Sequence, residues 1–231
     1  MTDDRDAPPD AASGELPADN KLTTTKQRWA REGKFLTGRV ARSEDERLPP
    51  GQHLVRDWPV LDLGLQPRIP HETWRLDVTG AVANPISWDW LAFSAQKQTR
   101  EITDIHCVTT WSRYDNRWDG VSTRDLMDIV RPLPEASHVM LHSYDGYTTN
   151  LAIEDFGAPD ALLVHSWEDR PLAVEHGGPV RLVVPHLYFW KSAKWVQRID
   201  FRTSDQRGFW EQRGYHNHAD PWLEQRYSDE E

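Results

Sequence analysis

Apolar and polar residues alternate along Trp74-Arg75-Leu76-Asp77-Val78-Thr79-Gly80, the two-residue period of a strand with one face buried. Glu101 to Thr109 contains a like stretch that ends at the cysteine and Val196 to Arg202 alternates again, while His138 to Ser143 and Ala161 to His165 read as strands and Tyr147 to Ile153 as extended chain. Pro-Val-Arg-Leu-Val-Val-Pro, residues 179–185, is a β-branched run bounded by prolines and reads as a buried strand carrying one charge, Arg181. His53 to Leu65 is apolar and extended, broken by Pro59, after a turn or linker at Leu48 to Gln52. Short helices fall between these segments. Ser87 is the expected cap of one starting near Trp88, and Ser122 caps Thr123 to Val130, which Pro132 stops. Glu154-Asp155-Phe156 opens a helical turn. Asn84-Pro85 and Asp145-Gly146 are turns, and Lys26 to Lys34 is a basic stretch of helical character. No repeat or sustained heptad appears. Short strands mixed with short helices predict an α+β fold with mixed β-sheets.

Residues 1–25 are rich in Asp, Pro, Ala and Thr and poor in large apolar side chains, the composition of a disordered acidic tail. They carry no secretory signal pattern, and no apolar run is long enough to span a bilayer. The expectation is a soluble, cytoplasmic protein with its ordered domain over residues 26–207 and a C-terminal tail, 208–231, that packs on that domain. The net charge of −10 argues against nucleic acid as a partner. The cations are uneven, however. Arg181, Lys191, Lys194, Arg198, Arg202 and Arg207 crowd one stretch, which suggests an anion pocket within an acidic protein.

Cys107 is the single cysteine among 231 residues, so it can form no disulfide within the chain. It can be a buried small hydrophobe, a nucleophile or a ligand to one metal centre. The hydroxyl- and aromatic-rich residues after it, together with the distant basic stretch, point to a thiolate in a site that receives a large anionic cofactor. A cysteine-hydrolase reading needs a base beside the thiol. His106 is adjacent in sequence, but neighbours on a strand point to opposite faces. A zinc site built from His216 and His218 with His106 or His186 would lack a compact four-ligand set.

Three blocks, read in order, resemble the molybdopterin-binding domain of the sulfite oxidase family: HCVTTWSRYDNRWDGV from His106, Tyr147-Thr148-Thr149-Asn150-Leu151, and RPLAVEHGGPVRLVVPHLYFWKSAKWV over 170–196. The resemblance covers about Pro50 to Arg202. It implies one pterin per molybdenum, with Cys107 binding the metal through sulfur, since thiolate is a soft ligand that suits such a centre. It implies that Arg181 holds the cofactor phosphate, because guanidinium binds such oxygens bidentately. His176, Ser143, Arg56 and Trp58 match cofactor-contacting positions. Ser192, Ala193 and Lys194 match the segment that wraps the phosphate, with Lys191 as a supporting charge, and Tyr147 matches a tyrosine near the metal.

The reaction implied is a two-electron redox step, with an oxygen atom passed to or from a small oxo substrate and an external electron-transfer protein as partner. Val-Thr-Thr-Trp-Ser after Cys107 is closer to the methionine-sulfoxide-reductase branch than to sulfite oxidases. Reduction of a sulfoxide or related oxo compound is therefore expected ahead of sulfite oxidation. A non-catalytic molybdopterin-binding module is the alternative of a different class.

Overall fold

The computed structural model describes residues 46–230, so the acidic tail and the basic stretch Lys26–Lys34 lie outside the described residues. Eleven strands, among the described residues, form two sheets. The first sheet contains β1 (His53–Leu54), β5 (Trp111–Ser122), β8 (Leu162–Trp167) and β10 (Arg181–Val183) in that order. There β4 (Gln98–His106) also pairs with β5, and β9 (Arg170–Pro171) with β8. The second sheet runs β3 (Ile86–Asp89), β2 (Arg75–Gly80), β11 (Val196–Arg202), β6 (His138–Ser143), β7 (Thr148–Ala152). The pairs β1–β5 and β2–β11 are parallel and the other pairs antiparallel, so the sheets are mixed as expected.

The two-residue period sorts the first sheet into two buried faces. Val121, Leu163 and Leu182 join the larger core, with Leu76, Val78, Val139, Leu141, Ile199 and Phe201 of the second sheet. Their neighbours Leu162, Val164 and Val183 face the other way and join Ile105, Cys107, Trp118, Trp58 and Phe189 in a second cluster. A strand buried on both faces needs an unbroken apolar run, which is why 179–185 does not alternate. Arg181, two residues from Val183, belongs to the second face.

Several expectations change. Ser87 does not cap a helix: Ile86–Asp89 is a strand whose Trp88 opposes Leu76, and Asp89 caps the helix Trp90–Ser94 through a 2.8 Å bond from the Ala92 amide. Pairing with β2 outweighs local capping propensity here. In the extended segment 53–65 only His53–Leu54 pairs, and Leu61, Leu63 and Leu65 are exposed. The twelve-residue β5 is absent from the pattern because its inward positions include Asn116 and Gly120 beside Trp118, so apolar periodicity is lost. Gly120 is required by close approach, since a Cβ there would lie 2.2 Å from the Leu163 carbonyl oxygen. Ser122 does cap Thr123–Val130, accepting from the Arg124 amide.

Leu141 is fully buried on β6 between β7 and β11. Leu141→Ala should cost about 2–5 kcal/mol in urea unfolding, whereas Leu91→Ala, at a residue 77% exposed, should change stability by less than about 0.5 kcal/mol.

Candidate active site

Cys107 sits at the head of the β4–β5 hairpin. Its amide donates to the Trp111 carbonyl at 2.8 Å, its carbonyl accepts from Thr110 at 3.0 Å, and Thr110 takes the left-handed φ of 75° that tightens the turn. The side chain is 6% exposed, and its Sγ lies 3.1 Å from Thr109 Oγ1. Burial pushes the thiol up from its usual range, with the Thr109 hydroxyl opposing the shift. His106 turns away and bonds Ser112 Oγ through Nδ1 at 2.8 Å, so the hairpin presents no Cys–His pair.

The thiol opens onto a cavity of about 250 Å³. Of the residues singled out in the sequence, Trp58, Cys107, Ser143, Tyr147, Arg181, Ser192 and Lys194 line it together. His176 lies behind Trp58, its ring stacked on the indole at 3.8 Å. Burial, followed by the nearby Arg181 and Lys194 charges, lowers His176 to about 4, so its ring is neutral at pH 7. Ala193 is buried outside the lining, and its carbonyl accepts from Leu182. Arg56 is exposed and away from the cavity, and its carbonyl accepts from Arg113. A charged side chain placed before the β-pairing of a loop has no sequence signal for the direction it takes.

The cationic donors around this cavity form no ion pair among the described residues. Arg181 is 1% exposed, and its guanidinium donates to the carbonyls of Ser192 (2.7 Å), His176 (2.8 Å) and Leu182 (3.3 Å). It also lies over the Phe189 ring at 4.2 Å. No carboxylate reaches it among the described residues, N–H donors are left over, and burial lowers it to about 9. Lys194 Nζ likewise meets only carbonyls, those of Glu175 (2.6 Å) and Leu61 (2.7 Å). Burial, then the Arg181 charge, lowers it to about 8. Ser143 Oγ is buried without a hydrogen-bond partner. A large ligand with an oxyanion group fits this donor set, because it would supply the missing acceptor and counter-charge. Gly177 makes the approach possible: a Cβ there would lie 2.9 Å from Lys194 Cβ and 3.1 Å from Arg181 Cβ, and its φ is 105°.

Tyr147 reaches the cavity, but its hydroxyl donates to the Trp190 carbonyl at 2.6 Å. Burial, then the Glu211 carboxylate, pushes that phenol well above its usual range. Tyr215 also lines the cavity, and its hydroxyl makes no hydrogen bond among the described residues. Trp190 and Trp210 flank it, with ring centroids 5.0 and 4.9 Å from its own. Sequence reasoning assigned neither Trp210 nor Tyr215. The only signal was the aromatic density of 209–215, which does not say which ring faces inward. Two carboxylates, Asp62 and Asp145, complete the polar lining. Among the described residues no group of three or more His, Cys, Asp or Glu side chains is arranged for a metal ion, which removes the zinc reading. His186 and His218 instead meet Asp155, at 3.0 and 3.4 Å. No helix among the described residues is long and apolar enough to cross a membrane.

The sequence pattern of the family described as "Oxidoreductase molybdopterin binding domain" matches residues 63–210. An oxidoreductase of Bacillus subtilis, YuiH, described as uncharacterized, is 42% identical over 193 residues, 83% of this chain and 98% of that protein. MsrP of Campylobacter jejuni, named as the catalytic subunit of protein-methionine-sulfoxide reductase, is 27% identical over 160 residues, 61% of this chain and 52% of its own length. Among solved structures, the sulfane dehydrogenase SoxCD of Paracoccus pantotrophus superposes with a TM-score of 0.58 at 17% identity, over 68% of this chain and 46% of that one, a likeness of fold. The chain thus spans nearly all of YuiH and about half of MsrP.

In protein freed of cofactor, sulfate should raise the melting temperature by roughly 3–6 °C at ten times its dissociation constant. Lys194 is charged below its value of about 8. The effect should therefore be present below that pH and fade as pH rises through it. Thermal melts across pH, with Arg181→Met as the variant that loses the shift, check this.

Proposed function

The chain belongs to the sulfite oxidase family of molybdopterin-binding oxidoreductases and has molybdopterin as its cofactor; we propose that it is an oxygen-atom-transfer enzyme whose metal is held by Cys107 and whose substrate is a small sulfoxide or related oxo compound. One observation carries the reading. The only thiol of the chain opens onto the same cavity as a buried guanidinium and an ammonium that donate to backbone carbonyls and form no ion pair among the described residues.

In this reading Arg181 and Lys194 would hold the anionic end of the cofactor, with Ser143 as a further donor and Trp58, backed by the stacked His176 ring, as a wall beside it. Ser192 acts through its backbone: its amide is engaged by Phe189, its carbonyl by Arg181, and its hydroxyl by the Val184 amide. Lys194 is then the member of that segment with a mobile donor. Cys107 would hold the metal as thiolate, and burial keeps the proton on the sulfur until a cation displaces it. When bound, the molybdenum cofactor supplies the two-electron exchange in which an oxygen atom is gained or lost by the substrate. Tyr215 has the free hydroxyl to donate to the substrate oxygen, while Tyr147 supports the wall through Trp190. Trp111, Trp190 and Trp210 exclude water around the reacting atoms.

The walls favour an uncharged substrate. With Arg181 and Lys194 engaged by the cofactor, the carboxylates Asp62 and Asp145 in the lining would repel a dianion such as sulfite. The methionine-sulfoxide-reductase relatives support the same choice. Those relatives are named as subunits, which supports an external electron-transfer protein as partner; the reading places both in the cytoplasm.

Cys107→Ala should leave the fold intact by circular dichroism and reduce molybdenum content and oxygen-atom transfer to background, in protein made in a host that synthesises the cofactor. Turnover of methionine sulfoxide by that variant at more than about a tenth of the parent rate would exclude the thiolate role.

A further inference from the structure

Lys191 and Glu211 form an ion pair sealed inside the protein, with side chains 1% and 0% exposed and Nζ 2.7 Å from Oε1. Neither residue lines the cavity, yet each is joined to residues that do. Glu211 Oε1 also accepts from Thr149 Oγ1 at 2.9 Å and from Trp190 Nε1 at 3.1 Å. Lys191 Nζ also donates to the carbonyl and the side-chain oxygen of Asn150, at 2.9 and 3.1 Å. The ammonium therefore has three acceptors, and one carboxylate oxygen collects three donors. Gly208 is pressed against this carboxylate: a Cβ there would lie 2.8 Å from Oε2.

The connections run to both sides of the cavity. On one side, Lys191 stands between Trp190 and Ser192, and Ser192 leads to Lys194. On the other, Glu211 follows Trp210 and precedes Tyr215. The Trp190 indole is held by Glu211, and the Trp190 carbonyl receives the Tyr147 hydroxyl. Two chain segments that are distant in sequence thus meet at one carboxylate. A buried pair of this kind adds little net stability over an apolar pair of similar volume. What it supplies is a fixed register between the elements that carry it, because three directional bonds converge on one atom.

We propose that Glu211 is a positioning residue: it registers the substrate-facing wall, Trp210 and Tyr215, against the segment Trp190–Lys194, so that the substrate is held by a wall the C-terminal segment supplies. This rests on the oxygen-atom-transfer reading. It concerns substrate affinity and leaves cofactor retention to Arg181 and Lys194.

The test uses holoenzyme carrying Lys191→Met with Glu211→Gln, which removes both charges and avoids a stranded buried cation, and Thr149→Val, which removes one bond to Glu211 and keeps side-chain volume. Measurements are melting temperature, pterin content, kcat and KM for methionine sulfoxide, and the dissociation constant of methionine sulfoxide by calorimetry. Expected results are parent-like pterin content, KM and dissociation constant raised about tenfold in the double variant and about threefold in Thr149→Val, and kcat within about threefold. A purely structural role would lower the melting temperature and leave KM and the dissociation constant within about twofold, and that outcome overturns the proposal. If the double variant does not accumulate, Thr149→Val decides by the same dissociation constant. Absence of turnover by the parent on methionine sulfoxide would count against the oxygen-transfer reading, whereas parent turnover with unchanged variant affinities would count against Glu211 alone.

Discussion

Arg181 stands on a strand with both faces buried, and its guanidinium meets three carbonyl oxygens and two aromatic rings but no carboxylate among the described residues. Carbonyl dipoles soften the loss of hydration without neutralising the charge, which is why burial lowers this group to about 9. Strand β10, the loop holding His176 and Gly177, and the Ser192–Lys194 segment are all arranged around this cation. The arrangement is stable as a scaffold and favourable as a receptor, since an incoming anion regains what desolvation took away.

The cavity exists because the first sheet has two apolar faces with different coverings. One face packs on the second sheet and forms a continuous core. The other is covered by irregular chain: the segment around Trp58, Leu172 and the Phe189–Lys191 turn. A sheet packed on a sheet leaves little space, because opposed side chains interdigitate. Loops carrying large flat rings cover a face less completely, and the space left over opens at the head of the β4–β5 hairpin, where Cys107 is placed.

Charge is divided by depth in the same way. Ion pairs such as Arg100–Asp119 and Arg117–Asp169 lie at the surface, where solvent screens them and they add little to stability. Lys191–Glu211 is sealed, and breaking one side of such a pair costs about 3–5 kcal/mol because the other charge is stranded. The sequence shows all of these as ordinary charged residues, since burial is a property of the fold and not of residue type.

Local patterns gave the strands β2, β6 and β11, the Ser122 cap and the buried strand around Arg181, because each depends on residues within one turn or one strand. The motif blocks likewise carried the family and its cofactor, since Cys107, Arg181 and Lys194 lie inside contiguous segments. What local pattern could not contain was long-range: β5 with its polar inward face, the strand at Trp88, the exposure of Arg56, and the choice between Tyr147 and Tyr215 as the phenol with a free hydroxyl. Each of these turns on a partner outside its own segment, from Leu76 opposite Trp88 to Arg113 against Arg56. A side chain's identity fixes what it can donate or accept, and only the packing of distant segments decides what it meets.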